Sequence, residues 1–309
     1  MDKVESHLPS DWPRITVVTP SLNQGAFLEA TLCSVLEQNY PNLEYIVVDG
    51  GSQDGSVEIL RRYSDRLNYW VSEPDAGQTD AILKGLAKAS GEIINWLNSD
   101  DLLLPDALFA VALAYRERNA QIIVGEDLHF TDDLARPAAH FRPAGYNYPG
   151  CIRFWEADFR YHQPCTFFTR KLYEHCEGLD LSLHYLMDYD LYCQMLAQPG
   201  ATVAYLNQPI SAFRLHPHAK TSRHKTKFLA EQRAVSQRYW EQAGFDQDST
   251  QQAMDKYCAA CGVFHAAELI RKYRVFSGLY CLYQSLLLDF RVTGKICLHR
   301  GFSRLLDNK

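Results

Sequence analysis

Residues 14–55 read RITVVTPSLNQGAFLEATLCSVLEQNYPNLEYIVVDGGSQDG. The segment opens on a β-branched run, Arg14 to Thr19, that stops at Pro20, as a buried strand does. Phe27, Ala30, Leu32, Val35 and Leu36 then fall near helical spacing and predict a helix over 26–38, ahead of Pro41. A second apolar run, LEYIVVD at 43–49, follows, and Gly50, Gly51 and Gly55 punctuate the turn after it. Strand, helix and strand in this order form a βαβ unit, which makes the two strands parallel.

The alternation continues outward. Strands are predicted over 68–72, 93–97 and 121–125, with helices from 57, over 78–89 and over 105–118. The fold class that follows is α/β: a Rossmann-like, mostly parallel sheet flanked by helices. Ligands of such sheets sit beyond the carboxyl ends of the strands. That rule singles out 20–23, 49–52, 73–75 and 98–101, three of which carry carboxylates. Asp49 with Asp54, Asp75 with Asp80, and Asp100 with Asp101 would repel one another unless a cation or donor groups lie among them. Helix capping accounts for Asp54 and for Asp106. Two adjacent acids directly after a buried strand, Asp100 and Asp101, fit better with a hard divalent cation shared with a substrate diphosphate.

Past residue 125 the pattern loosens. Residues 126–165 read as loops with short strands, further strands as 163–169 and 202–206, and a helix as 187–197. Helices over 222–240, 254–273 and 276–290 form a C-terminal helical extension. The expected division is a catalytic domain over 1–218, with a nucleotide half at about 14–125 and an acceptor half at 126–218, and a helical region over 219–309.

Composition narrows the classes. The 309 residues carry a net charge of −6, which argues against a nucleic-acid partner. Residues 271–309 nevertheless hold eight Lys or Arg and two Asp, out of 31 basic and 37 acidic residues in the chain. This basic run leaves two alternatives: peripheral contact with an anionic membrane, or packing on the body or on a second copy of the chain in a homo-oligomer. Nine scattered cysteines do not resemble a disulfide framework, and MDKVESHLPS lacks the apolar core of a signal peptide, so a cytoplasmic location is expected. Cys258 and Cys261 form a lone CxxC near His265, which incidental thiols explain better than zinc. GxGxxG, Walker A and GxSxG sequences are absent.

Three motifs taken in order are more specific than any one alone. They are residues 17–56, then SEPDAGQTDAILKG at 72–85, then GEIINWLNSDDLLLP at 91–105. Together they resemble the family 2 glycosyltransferases of the GT-A fold, over roughly Ile15 to Arg214. The resemblance implies a UDP- or GDP-sugar donor, a Mn2+ or Mg2+ cofactor, and inverting transfer to a hydroxyl of a glycan or lipid-linked acceptor in cell-surface glycan or glycolipid synthesis. Carried over by position, Thr19, Pro20 and Ser21 line the nucleoside pocket, Asp49 meets the base or ribose, and Asp75 lies under the ribose and diphosphate. Gln78, Asn98, Ser99 and Asp101 complete the donor-binding set, and Asp100 is the metal ligand. His216, after a late strand, is implied as a second ligand to the metal or diphosphate.

LSLHYLMDYDLYCQM at 181–195 resembles the acidic helix start that carries the family's catalytic base. Asp188 matches that base and Asp190 is the alternative. The chain departs from the family pattern at Asn98, where an acid is usual, at Leu83 in place of Asn, and at Met187 in the acidic pair. The segment His162-Gln163-Pro164 resembles a stretch facing the sugar and acceptor. The competing readings are a sugar nucleotidyltransferase, which should carry a basic Gly-rich loop where this chain has SLNQGAF, and a non-catalytic binding module.

Overall fold

The computed structural model describes residues 11–289 apart from 155–158, 218, 221–224, 241 and 272–274. The strands are β1 (Ile15–Ser21), β2 (Leu43–Asp49), β3 (Tyr69–Ser72), β4 (Ile93–Trp96), β5 (Leu102–Leu103), β6 (Ile122–Phe130), β7 (Ala139–Phe141), β8 (Thr166–Thr169) and β9 (Val203–Arg214). The helices are α1 (Gly25–Leu36), α2 (Ser56–Tyr63), α3 (Gln78–Leu86), α4 (Ala107–Arg118), α5 (Tyr148–Ile152), α6 (Arg170–Tyr173), α7 (Met187–Ala197), α8 (Lys225–Trp240), α9 (Gln247–Arg271) and α10 (Val275–Leu288). The chain divides into two compact units, one over Met1–Tyr148 and Phe159–Arg223, the other over Pro149–Asp158 and His224–Lys309.

All the strands belong to the first unit and form one sheet in the order β3-β2-β1-β4-β8-β6-β9-β5, with β7 on β6. The β3-β2-β1-β4 half is parallel throughout. Beyond β4 the sheet is mixed: β8 runs antiparallel to both β4 and β6, while β6 and β9 are parallel. The whole is an α/β fold with a mixed sheet flanked by helices.

Ile15, Val17, Tyr45 and Val47 project from β1 and β2 onto Leu28, Leu32 and Val35 of α1, all buried. The opposite face receives α3, where Gly85 lies so close to Val18 that a β-carbon there would overlap the valine γ-carbon. Low on this face Glu44 is buried, accepting from Thr16 Oγ1 (2.5 Å), Ser90 N and Oγ (each 2.7 Å), with Arg14 at 3.0 Å. A charge in such a place needs this full set of partners.

Two elements run further than the sequence pattern indicates. β6 continues through Glu126–Phe130, inside the stretch expected to be irregular, and β9 runs to Arg214 rather than ending near 206. The alternation in both strands is broken by register shifts at Val124/Glu126 and Glu126/Asp127, opposite Tyr205 to Ser211. A bulge resets the side-chain period, so a strand that contains one does not read as a single run. The extension carries β6 and β9 to the rim where the β1, β2 and β4 loops lie.

In the second unit α9 packs against α10 and α8. Cys258 is buried there and Cys261 half-buried, both as free thiols. No helix among the described residues is long and apolar enough to cross a membrane.

Candidate functional site

The loops after β1, β2, β3 and β4 meet at one rim of the sheet, as the parallel topology requires. Gly50 N donates to Ser21 O at 2.8 Å, joining the first two loops. Asp49 is fully buried and serves its own turn: it accepts from Gly51 N, Ser52 N, Ser52 Oγ and Ser72 Oγ at 2.5–3.1 Å. Thr19 is equally buried, its hydroxyl 3.0 Å from the Tyr45 phenol, and Pro20 and Ser21 beside it are also buried. Asp54 caps as expected, accepting from Gly25 N at the start of α1 and from Ser56 N at the start of α2. Asp106 occupies the cap position of α4 without a capping side-chain bond.

Asp75 lies directly over Gly50. A β-carbon on Gly50 would come within 2.5 Å of Asp75 Oδ2, so only glycine permits the approach. Asp75 Oδ1 accepts from Gly77 N at 2.8 Å, fixing the carboxylate at the entry to α3.

From α3 a continuous chain of hydrogen bonds crosses the rim. Lys220 Nζ donates to Gln78 Oε1 (2.8 Å), Gln78 Nε2 to Asn98 Oδ1 (2.7 Å), and Asn98 Nδ2 to Asp101 Oδ2 (3.3 Å). Asp101 is fully buried and accepts from Arg214 N at 3.1 Å. Burial first, then the neighbouring Asp100 and Asp127, push its pKa up, against the bonds from Arg214 and Asn98 that favour the charged form. Its backbone oxygen accepts from Thr31 Oγ1, which ties the loop to α1. Ser99, in the same loop, is also buried.

Asp100 points the other way. Its Oδ2 sits 2.9 Å from His216 Nε2, its side chain is about 20% exposed, and Arg214 Nε donates to its backbone oxygen at 3.1 Å. The guanidinium of Arg214 lies over the rings of Phe27 and Phe130, and Phe27 also packs on His216. One carboxylate and one imidazole, partly open to solvent and held by rigid neighbours, form a donor pair of the kind that Mn2+ or a similar cation accepts. The residues therefore fit a divalent cation.

Asp188 and Asp190 separate cleanly. Asp190 is 2% exposed and accepts from Gln194 Nε2 at 2.8 Å, and Gln194 in turn binds Gly178 O and Glu177 N. It anchors α7 to the preceding loop. Asp188 is only half-buried and accepts from Tyr189 N in the first turn of α7. The loop before α7 is tied to the rim: Thr79 Oγ1 donates to Leu183 O at 3.2 Å, and Lys220 Nζ to His184 O at 3.5 Å.

The structure thus joins Gln78, Asn98, Asp100, Asp101 and His216 in one network, holds Asp75 at the entry to α3 and ties the loop before α7 to the same rim. It directs Thr19 and Asp49 into the sheet and its turns. Arg214 and Lys220 enter the network unforeseen; Gln163, from the segment whose resemblance points to the sugar and acceptor, donates to Trp96 O and accepts from Asn98 at 3.5 Å. Separate from that network, Asp127, His129 and His162 come together with ligand atoms within 4.8 Å of one another.

A mixed sheet with acidic loops at one rim, a carboxylate–imidazole pair there and a half-buried acid at a helix start is the setting in which an α/β enzyme holds its ligand. Residues 16–176, just over half of the chain, match glycosyl transferase family 2, and the chain belongs to that family. An uncharacterized glycosyltransferase of Mycobacterium tuberculosis is 42% identical over 90 residues, which are 29% of this chain and 34% of that protein. TuaG of Bacillus subtilis, a glycosyltransferase named for teichuronic acid biosynthesis, is 37% identical over 103 residues, 32% of this chain and 41% of that one. These alignments span well under half the length of either relative. Among solved structures, S. aureus TarS 1-349 in complex with UDP-GlcNAc superposes with a TM-score of 0.60 at 15% identity, covering 96% of this chain and 89% of that one. The mannosyltransferase PcManGT from Pyrobaculum calidifontis, in complex with GDP-Man and Mn2+, gives 0.52 at 18% identity, covering 97% and 89%. At such identities the likeness is one of fold.

Proposed function

We propose that this chain moves a sugar from a nucleoside-diphosphate donor to an acceptor hydroxyl, with inversion at the anomeric carbon. The observation that carries this reading is the unbroken hydrogen-bond chain from Lys220 through Gln78, Asn98 and Asp101 to Arg214, which holds Asp100 against His216 at the rim. Family membership supports the donor class.

In this reading Asp75, Gln78, Asn98 and Ser99 hold the donor, and the loops that Asp49 and Thr19 brace form the nucleoside side of the pocket with Pro20 and Ser21. Asp101 keeps the Asn98–Asp101 loop in shape through Arg214. Asp100 and His216 would hold a divalent cation, Mn2+ or Mg2+, which neutralises charge on the departing diphosphate. The acceptor oxygen forms its bond to the anomeric carbon as the bond to the diphosphate oxygen breaks on the opposite face. Asp188 takes the hydroxyl proton as that bond forms. Fixing donor and acceptor against each other supplies much of the barrier reduction.

A glycan or lipid-linked acceptor in polysaccharide synthesis fits the relatives. A cytoplasmic location at the membrane face, held by the basic run 271–309, fits the exposure of Leu279, Tyr280 and Tyr283 on α10. Residues 272–274 and 290–309 of that run lie outside the described residues. The same proposal assigns catalysis to 1–218 and association, with membrane or a second copy, to 219–309.

The test is transfer from a panel of UDP- and GDP-sugars with Mn2+, with and without chelator, for the full chain and for Asp188→Asn. Turnover should fall by roughly 10²–10⁴ in the variant while donor binding persists. Near-normal turnover in Asp188→Asn removes that assignment, and donor binding indifferent to chelator removes the cation.

A further inference from the structure

Beside the donor rim lies a group with no part in the mechanism above. Asp127 and His129 project from the extended end of β6, and His162 from the loop before β8. Asp127 is fully buried; the His129 and His162 side chains are 21% and 19% exposed. Asp127 Oδ2 stands 3.4 Å from His129 Nε2 and 3.1 Å from His162 Nδ1, yet none of these three buried atoms has a hydrogen-bond partner. Three such atoms aimed at one point are a costly arrangement unless something occupies it.

The surroundings hold the three atoms in place. Ser211 Oγ, opposite Asp127 on β9, donates to the other carboxylate oxygen. His129 stacks on Phe141 and packs on Phe213, and His162 packs on the same two rings. Ligands about 2.0–2.1 Å from a tetrahedral metal stand about 3.3 Å from each other, close to both observed separations.

We infer that Asp127, His129 and His162 form a second metal site, selective for Zn2+ or a similar borderline cation. It is distinct from the Asp100–His216 pair and does not depend on the transferase reading. Two imidazoles and one carboxylate suit zinc better than Mg2+, and three protein ligands leave a fourth position open. The site is structural in its first effect. It clamps the His162–Gln163 segment to β6, and Gln163 reaches Trp96 O and Asn98 in the donor network.

Zinc is titrated into the chelator-treated full chain carrying Asp100→Asn and His216→Gln, in competition with a chromophoric chelator. One equivalent should bind, and adding His129→Gln or His162→Gln should weaken it at least about tenfold, while Ser211→Ala weakens it roughly 10–100-fold through the carboxylate it orients. X-ray absorption of the zinc-loaded Asp100→Asn/His216→Gln chain needs no change at the site itself, so it decides the matter even if the histidine variants fail to fold. It should show two imidazoles and no sulfur. No zinc bound, binding unchanged by both histidine substitutions, or a shell with fewer than two imidazoles or with sulfur overturns the inference.

Discussion

Gly50→Ala is the sharpest probe of the proposed donor rim, because it displaces one carboxylate without touching it chemically. Gly50 is not among the glycines with left-handed backbone, so alanine meets no backbone strain. Its β-carbon would stand 2.5 Å from Asp75 Oδ2 and 3.0 Å from Cγ. An ordinary carbon–oxygen contact is about 3.3 Å, so the carboxylate must retreat by about 0.8 Å. Asp75 is only half-buried and can yield, which keeps the folding cost within about 1–2 kcal/mol. A misplacement near 1 Å at a positioning group costs up to roughly 10²-fold. The expected loss in kcat/KM is therefore about 10–100-fold, or about 1.4–2.7 kcal/mol of transition-state binding. Steady-state kinetics with saturating acceptor should place much of it in the donor KM, with the melting temperature lowered by no more than about 2–8 °C. In an Asp75→Ala background the clash is gone, and Gly50→Ala should then cost less than about twofold. A Gly50→Ala enzyme within twofold of the parent, or an equal loss in both backgrounds, refutes the reasoning that Asp75 must stand where it does.

Asp190→Asn and Asp188→Asn should fail differently: the first lowers stability by about 1–3 kcal/mol in urea unfolding because it weakens the buried Gln194 contact, and the second lowers turnover with stability intact. Equal turnover losses would mean that Asp190 shares the chemistry. Glu44 is held below the ordinary carboxylate pKa: burial opposes this, but hydrogen bonds from Ser90 and Thr16 and the charge of Arg14 prevail. Its contribution is thus present above its unfolded pKa and is lost as the pH falls through the lower folded value. Glu44→Gln should cost about 1–3 kcal/mol near pH 7 and progressively less below about pH 4, measured by thermal melts across that range; a loss independent of pH would show that the charge is irrelevant.

The parallel half of the sheet was readable because each of its strands is one apolar run ended by Pro, Gly or a polar cluster, as RITVVTP and LEYIVVDG are. Burial on both faces of a sheet demands such runs, and the loops that end them carry the ligand-facing residues by topology alone. β6 was not readable to its end. GEDLHF does alternate, placing Asp127 and His129 on one face, but charged residues on a buried face read as loop until Ser211 and the rings of Phe141 and Phe213 are seen to enclose them.

Local sequence also could not rank acids of identical type. Asp49, Asp75, Asp100 and Asp101 all follow strands, yet the fold buries Asp49 under its own turn amides, raises the pKa of Asp101 and leaves Asp100 open against a histidine 116 residues away. Asp188 and Asp190 sit on one helix turn, and only the packing of α7 against residues 177–178 tells the buried anchor from the open carboxylate. Periodicity and turn chemistry act between neighbours in the chain, so the sequence by itself determined the strands, the helices and the rim where polar loops gather. Desolvation and charge coupling act between neighbours in space, so which carboxylate is braced, which has its pKa raised and which stands partly open beside a histidine was decided by the tertiary structure alone.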